Sequence, residues 1–175
     1  MENELQVKKA KQGDQEALVQ LIMAQKKEYY QLAYVYMKNR EDSLDAIEDM
    51  IVVLYENLQR LKKDESFYNW SKVILVNCCK GLLRKKKKVI FLDNMKENSY
   101  KGEGDFYQKN EQIALEKHLS KLSNKHREVL KLRYFLDLEY QTIAEILKVP
   151  LGTVKSRIFS AQKQLKESLG GEDID

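Results

Sequence analysis

The sequence is poor in residues that break helices and in residues that bind metals. Its 175 residues include one proline and seven glycines. Set against abundant Leu, Lys, Glu, Gln and Ala, that scarcity predicts an all-helical protein. The two cysteines, Cys78 and Cys79, are adjacent, which disfavours a disulfide between them, and the only histidines are His118 and His126. Neither a disulfide framework nor a zinc site is supported. No run approaches the roughly eighteen apolar residues that a membrane span needs, and MENELQVKK at the start has no apolar h-region, so a soluble, cytoplasmic protein is expected. A nucleotide-binding glycine loop is missing too, as is any convincing catalytic constellation of serine, tyrosine or metal ligands. No cofactor, no small-molecule substrate and no enzymatic activity are therefore expected.

Net charge is also small. The formal net charge is +4, so binding to a polyanion would have to come from local clustering. A hydrophobic content of 43% is enough for one packed core or two small ones.

Residues 17 to 36 carry Leu18, Leu21, Ile22, Tyr29, Leu32, Ala33 and Tyr36 at helical spacing, and Asn39 to Asp42 forms a polar break. Apolar residues then recur at 44, 47, 51, 54, 58 and 61, the stripe of a long amphipathic helix. Trp70 to Leu83 is apolar nearly all round, predicting a largely buried helix with Trp70 in the core. Arg84 and four lysines follow it directly. From Val89 to Glu111, Gly, Asn, Asp and Ser mix without helical period, and the segment reads as a linker of which only VIFL stays packed. Leu115, Leu119 and Leu122 open a second unit, in which Ser123 is placed to cap a helix. The expected domains are residues 1–88, the linker 89–111, residues 112–169 and a frayed acidic tail, 170–175.

The second unit contains VPLGTVKSRIFSAQKQLK, and no acidic residue lies between Glu145 and Glu167. Residues 140 to 166 fit a helix-turn-helix. Ile143, Ala144 and Leu147 face inward on the first helix, and Val154, Ile158, Ala161 and Leu165 on the second. Lys148 to Pro150 makes the turn. Pro150 suits the first turn of a helix, whereas Lys148 stands where glycine is common, at a cost on the order of 1 kcal/mol if left-handed. Thr153, Lys155, Ser156, Arg157, Phe159, Ser160 and Lys163 remain outward. Such a surface can set an arginine on guanine edges while lysines and hydroxyls hold phosphates. The plainer alternative is a basic helix whose charges are merely solvated.

Two further clusters stand out. On the helix beginning near Glu41, the acids Glu41, Asp42, Asp45, Glu48, Asp49 and Glu56 gather opposite the apolar stripe, with Val52 in their midst. An apolar spot ringed by acids suits a basic partner, although an acidic face is often only solvated. Arg84, Lys85, Lys86, Lys87 and Lys88 make a local anion site at the end of an apolar helix, or simply solubilise it.

KLSNKHREVLKLRYFLDLEYQTIAEILKVPLGTVKSRIFSAQKQL resembles region 4 of bacterial RNA polymerase sigma factors of the extracytoplasmic-function (ECF) group, GTVKSR being among the more specific family motifs. EDSLDAIEDMIVVLYENL resembles the region 2 helix that docks on polymerase. FYNWSKVILVNCCKGLLRKKKK resembles the end of region 2, with Trp70, Asn77 and Arg84 on the usual tryptophan, asparagine and arginine. The resemblance implies two all-α domains that bind core RNA polymerase and promoter DNA, double-stranded at the -35 element and melted at the -10 element. It places -35 contacts on Thr153, Lys155, Ser156, Arg157, Phe159, Ser160 and Lys163. It places -10 contacts on Asn77, Lys80, Arg84, Lys85 and Lys87, and polymerase contacts on Asp42, Asp45, Glu48, Asp49 and Val52. The loop Lys62 to Phe67 lies, in this family, near extruded promoter bases. Glu48, Lys80 and Ser160 depart from the usual glutamine, aspartate and arginine. Family habit adds an anti-sigma factor, often membrane-bound, and a role in stress response.

A flexible segment of about 23 residues averages roughly 26 Å end to end and reaches about 75 Å only when stretched. Promoter elements one and a half to two helical turns apart lie on the order of 50 to 70 Å from each other. Free protein should therefore bind promoter DNA poorly, because in the family polymerase holds the linker extended. The competing reading is a stand-alone regulator in which residues 112 to 168 bind a palindromic operator without polymerase.

Overall fold

The computed structural model describes residues 2–94 and 116–170, and among these all regular structure is helical. The chain divides into two compact units, Met1–Gly104 and Asp105–Asp175. Among the described residues no helix is long and apolar enough to cross a membrane.

The first unit contains α1 (Glu2–Lys11), α2 (Gln15–Ala24), α3 (Lys26–Met37), α4 (Arg40–Asn57) and α5 (Phe67–Asn94). Two 3-10 turns, Leu58–Arg60 and Asp64–Ser66, join α4 to α5. Gly13, at φ 98°, makes the bend that an L side chain would resist, and Asp14 caps α2 by accepting from the Ala17 amide at 3.0 Å. The stripe expected to form one helix over residues 17 to 36 is two, interrupted at Gln25. Its apolar spacing skips from Ile22 to Tyr29 across the polar run Gln25 to Glu28, and no buried side chain holds that stretch straight. Lys38 turns left-handed at φ 61°, and Asn39 caps α4 by accepting from the Asp42 amide at 2.9 Å.

α3, α4 and α5 pack together around Tyr29, Leu32, Ala33, Ala46, Met50, Leu54, Leu75, Val76 and Cys79. The buried Ser71 hydroxyl donates to the Tyr68 carbonyl at 2.9 Å, so that Tyr29 donates to Ser71 at 2.7 Å and no polar group in this pair is stranded. Burial pushes the Tyr29 phenol well above its ordinary range despite that bond, and pushes the Cys79 thiol up to about 12. Cys79 behaves as a small core hydrophobe, because little reactive thiolate forms at such a value.

Three further sequence expectations change here. The buried face of α4 is Ser43, Ala46, Met50 and Leu54, while Ile47 and Ile51 are half-buried and Leu44 is 41% exposed. The helix is therefore rotated from the face that the bulky residues suggested. Small residues at 43 and 46 let α3 and α5 come close, and close approach decides what is buried. Secondly, α5 continues through Asn94, so residues 89–94 are helical rather than the start of a linker. Val, Ile, Phe and Leu do not stop a helix that is already propagating, and no glycine or proline occurs there. The remainder of the expected linker, and the 171–175 tail, lie outside the described residues. Thirdly, Trp70 is only half-buried and Val73, Ile74, Leu82 and Leu83 likewise, whereas Phe67, assigned to the preceding loop, begins α5 and is 1% exposed.

The second unit opens with a helical stretch at residues 116–120, followed by α6 (Asn124–Leu130), a π-helical turn (Lys131–Phe135), α7 (Tyr140–Leu147) and α8 (Leu151–Ser168). Ser123 caps α6 by accepting from the His126 amide at 3.3 Å. The Arg127 side chain donates to the carbonyls of Leu119, Ser120 and Leu122, closing the turn before α6. Leu119, Leu122, Val129, Leu132, Ile143, Ile146, Val154, Ile158 and Ala161 form the core.

Candidate nucleic-acid and partner interfaces

α7 and α8 pack across the turn Lys148–Pro150 in a helix-turn-helix. Lys148 is left-handed at φ 55°, and the Val149 amide reaches back to the Ala144 carbonyl at 3.1 Å, which satisfies a helix end that would otherwise be open. Pro150 caps α8 one position earlier than expected: its carbonyl accepts from the Thr153 and Val154 amides at 2.9 and 3.2 Å. The inward side of α7 is Thr142, Ile143, Ala144 and Ile146, with Leu147 half-buried. Thr142 and Ile146 were not singled out from the sequence.

Val154, Ile158 and Ala161 are buried on α8, and Leu165 is half-buried. Opposite them Lys155, Ser156, Phe159 and Lys163 are exposed, Phe159 by 70%. Thr153, Arg157 and Ser160 sit at the margin, half-buried. The structure thus collects all seven candidates on one side of α8, in a central exposed strip and a flanking edge. The Ser156 hydroxyl donates to the Thr153 carbonyl at 3.0 Å. Tyr134 and Phe135, exposed by 56% and 53% in the π turn, escaped the sequence reading because their neighbours Leu130 and Leu132 continue a helical stripe. Gln162 on α8 donates to the Tyr134 hydroxyl.

In the first unit, winding α5 at about 100° per residue puts Asn77, Lys80, Arg84 and Lys87 on one face with Trp70 and Lys88. Asn77, Arg84 and Lys87 are exposed and Lys80 half-buried, its ammonium 5.8 Å from the centre of the Tyr36 ring. Lys85 is exposed too, but stands about 80° to the side of Asn77 on the same winding. Lys86 points the other way and pairs with Asp42.

That pairing separates Asp42 from the rest of the acidic cluster. Its carboxylate accepts from Lys86 and from Asn39 Nδ2, and its side chain is 14% exposed. Partial burial pushes the Asp42 carboxyl up, but the hydrogen bonds from Lys86 and Asn39 and the Lys86 charge outweigh burial and hold it below its ordinary value. Asp45, Glu48, Asp49 and Val52 do share an exposed face, with Val52 55% exposed. The rotation of α4 adds Leu44 and Tyr55 to it, the latter 60% exposed. The result is an apolar strip of Leu44, Tyr55 and Val52 flanked by acids, broader than the spot of Val52, with Val53 at its margin, that the sequence showed. Among the described residues no group of His, Cys, Asp and Glu is arranged to hold a metal ion.

The fold and these surfaces define a class: two-unit, all-helical proteins of helix-turn-helix type, with a separate unit carrying a basic helix face and an acidic-apolar one. Comparison with known proteins is specific. Residues 21–89 match the family model for Sigma-70 region 2, and residues 118–167 match that for Sigma-70, region 4. The chain is 32% identical over 167 residues to the RNA polymerase sigma factor SigV of Bacillus subtilis, covering 95% of this chain and 99% of that one. It is 27% identical over 176 residues to the ECF RNA polymerase sigma factor SigW of the same organism, covering 93% and 94%. A solved structure of the sigma factor RpoE from Bartonella quintana, in complex with the anti-sigma factor NepR, shares the fold at a TM-score of 0.66 and 21% identity, covering 88% of this chain and 97% of that one. This chain belongs to the sigma-70 family of RNA polymerase sigma factors, in its ECF group. Proteins of this kind are transcription initiation factors rather than enzymes.

Proposed function

We propose that the chain binds core RNA polymerase in the cytoplasm, directs it to promoters through separate -35 and -10 contacts, and helps to open the DNA. In this reading residues 1–88 act as region 2 and residues 112–169 as region 4. The observation that carries it is α8: a helix whose inward stripe is fully apolar and whose opposite side carries no acid from Leu151 to Lys166, presenting Lys155, Ser156, Phe159 and Lys163. Such a helix enters a major groove with Arg157 and Thr153 at its edge, near base edges and phosphates. α5 serves the -10 element through Asn77, Lys80, Arg84 and Lys87, with Lys85 on the flanking backbone and the loop Lys62 to Ser66 close to unstacked bases. A pocket or platform that captures an extruded base offsets lost stacking without hydrolysis. Asp45, Glu48, Asp49 and Val52, extended by Leu44 and Tyr55, form the polymerase-docking face, with Asp42 at its edge, paired with Lys86. The RpoE structure, in complex with an anti-sigma factor, favours regulation of this chain by a partner of that kind, which family habit often anchors in a membrane.

Arg157→Ala tests the base-reading part. With core polymerase, the variant should lose transcription from a cognate promoter and lose discrimination at one -35 base pair by about 1 to 3 kcal/mol, as expected for a bidentate guanine contact. An equal loss on every -35 sequence contradicts base readout.

A further inference from the structure

α1 precedes the region 2 match, which begins at residue 21, and its last residue makes three long-range polar contacts to the α4–α5 connection. Lys11 Nζ donates to the Leu61 carbonyl at 2.7 Å and to Asp64 Oδ1 at 2.5 Å. Gln59 Nε2 donates in return to the Lys11 carbonyl. The Lys11 and Asp64 side chains are only 21% and 19% exposed, so this ion pair is sheltered from the full screening that weakens surface pairs. The contacts grip the α4–α5 connection at Gln59, Leu61 and Asp64. Apolar anchors flank the same points: Leu58, Leu61 and Phe67 are buried, as are Val7 and Ala10 of α1 beside them. Between the anchors Lys62, Lys63 and Glu65 are exposed, and the Ser66 amide closes a tight turn onto the Lys63 carbonyl at 3.0 Å. A connection this short would otherwise sample many shapes, and each would carry its exposed lysines elsewhere.

We infer that Lys11 is a positioning residue for promoter recognition: it braces the 61–66 loop from a helix that precedes the stretch matching the region 2 family model, so that Lys62 and Lys63 meet the melted strand of the -10 element in one preset geometry. The inference rests on the reading of that loop as the segment beside unstacked bases. Fixing the loop before DNA arrives moves its ordering cost out of the binding step, and what is gained is discrimination, because a loose loop adapts to the wrong base nearly as well as to the right one. α1 thereby contributes to sequence choice without touching DNA.

The test uses the full chain with core polymerase and three variants. Lys11→Met keeps the aliphatic stem and removes the donor, Asp64→Asn removes the charge from the other side, and Lys11→Arg keeps a donor of similar reach. Amide hydrogen exchange in the free chain should rise about fivefold over residues 61–67 in the first two and stay near wild type in the third. The ratio of transcription from a cognate promoter to that from single-base -10 variants should fall about fivefold in the first two and recover in the third, with core binding and -35 dependence unchanged. Unchanged exchange over the loop overturns the brace, as does raised exchange with discrimination intact. Lys62→Ala with Lys63→Ala separates the two levels. If that pair leaves -10 discrimination intact, the loop is not a reader and the underlying reading fails. If it lowers discrimination while Lys11→Met does not, only the brace fails.

Discussion

Asp42 shows how a residue changes meaning once its neighbours are known. In sequence it is one acid among several near the start of a helix. In the fold, Asn39 and Lys86 converge on it and tie the start of α4 to the basic stretch of α5. Its folded pKa lies below the ordinary 3.8, so its stabilising contribution is complete above that value and is lost as pH falls through the lower folded one. Asp42→Asn should therefore unfold with a shallower dependence on pH than wild type as pH falls below the ordinary 3.8, and the two should converge at the acid end. Thermal unfolding across that window measures it, and parallel curves would contradict the pairing. Lys148 was legible as the strained residue of the turn because a three-residue corner between two helices needs a left-handed position, whatever residue fills it. Lys11 was not legible, since nothing in sequence links a lysine at a helix end to a loop about fifty residues away.

At the scale of elements, helix existence could be read and helix phase could not always be. α8 was phased correctly because its small and β-branched inward residues, Val154, Ile158 and Ala161, are also the ones that close packing selects. α4 was misphased because Ser43 and Ala46 are buried by the approach of α3 and α5, a property of three helices together. The displaced Leu44 and Tyr55 enlarge the acidic-apolar face, and this enlargement gives apolar area for affinity while the acids provide steering. Asp45→Lys with Asp49→Lys should weaken co-purification with core polymerase by about tenfold or more, the effect of setting like charges against a basic partner. Far-ultraviolet circular dichroism should stay unchanged, because both residues are exposed. Retained binding would remove this face from the account.

For the whole molecule, the division into two helical units follows from where the periodic apolar stripes stop and restart, and that much was visible in the sequence. The far end of α5 was not, because a helix ends where its stabilising contacts and capping run out, and composition alone shifts slowly there. α8 offers one basic strip and α5 another, each suited to modest, salt-sensitive contacts that gain strength when both are engaged at once. The most direct measurement is binding of a fluorescent cognate promoter duplex, at physiological salt, to the chain alone, to core polymerase alone and to the two together, with single-base -35 and -10 variants as competitors. The account predicts tight, sequence-selective binding only for the mixture. Equally tight and selective binding by the chain alone, unaffected by core polymerase, would contradict it.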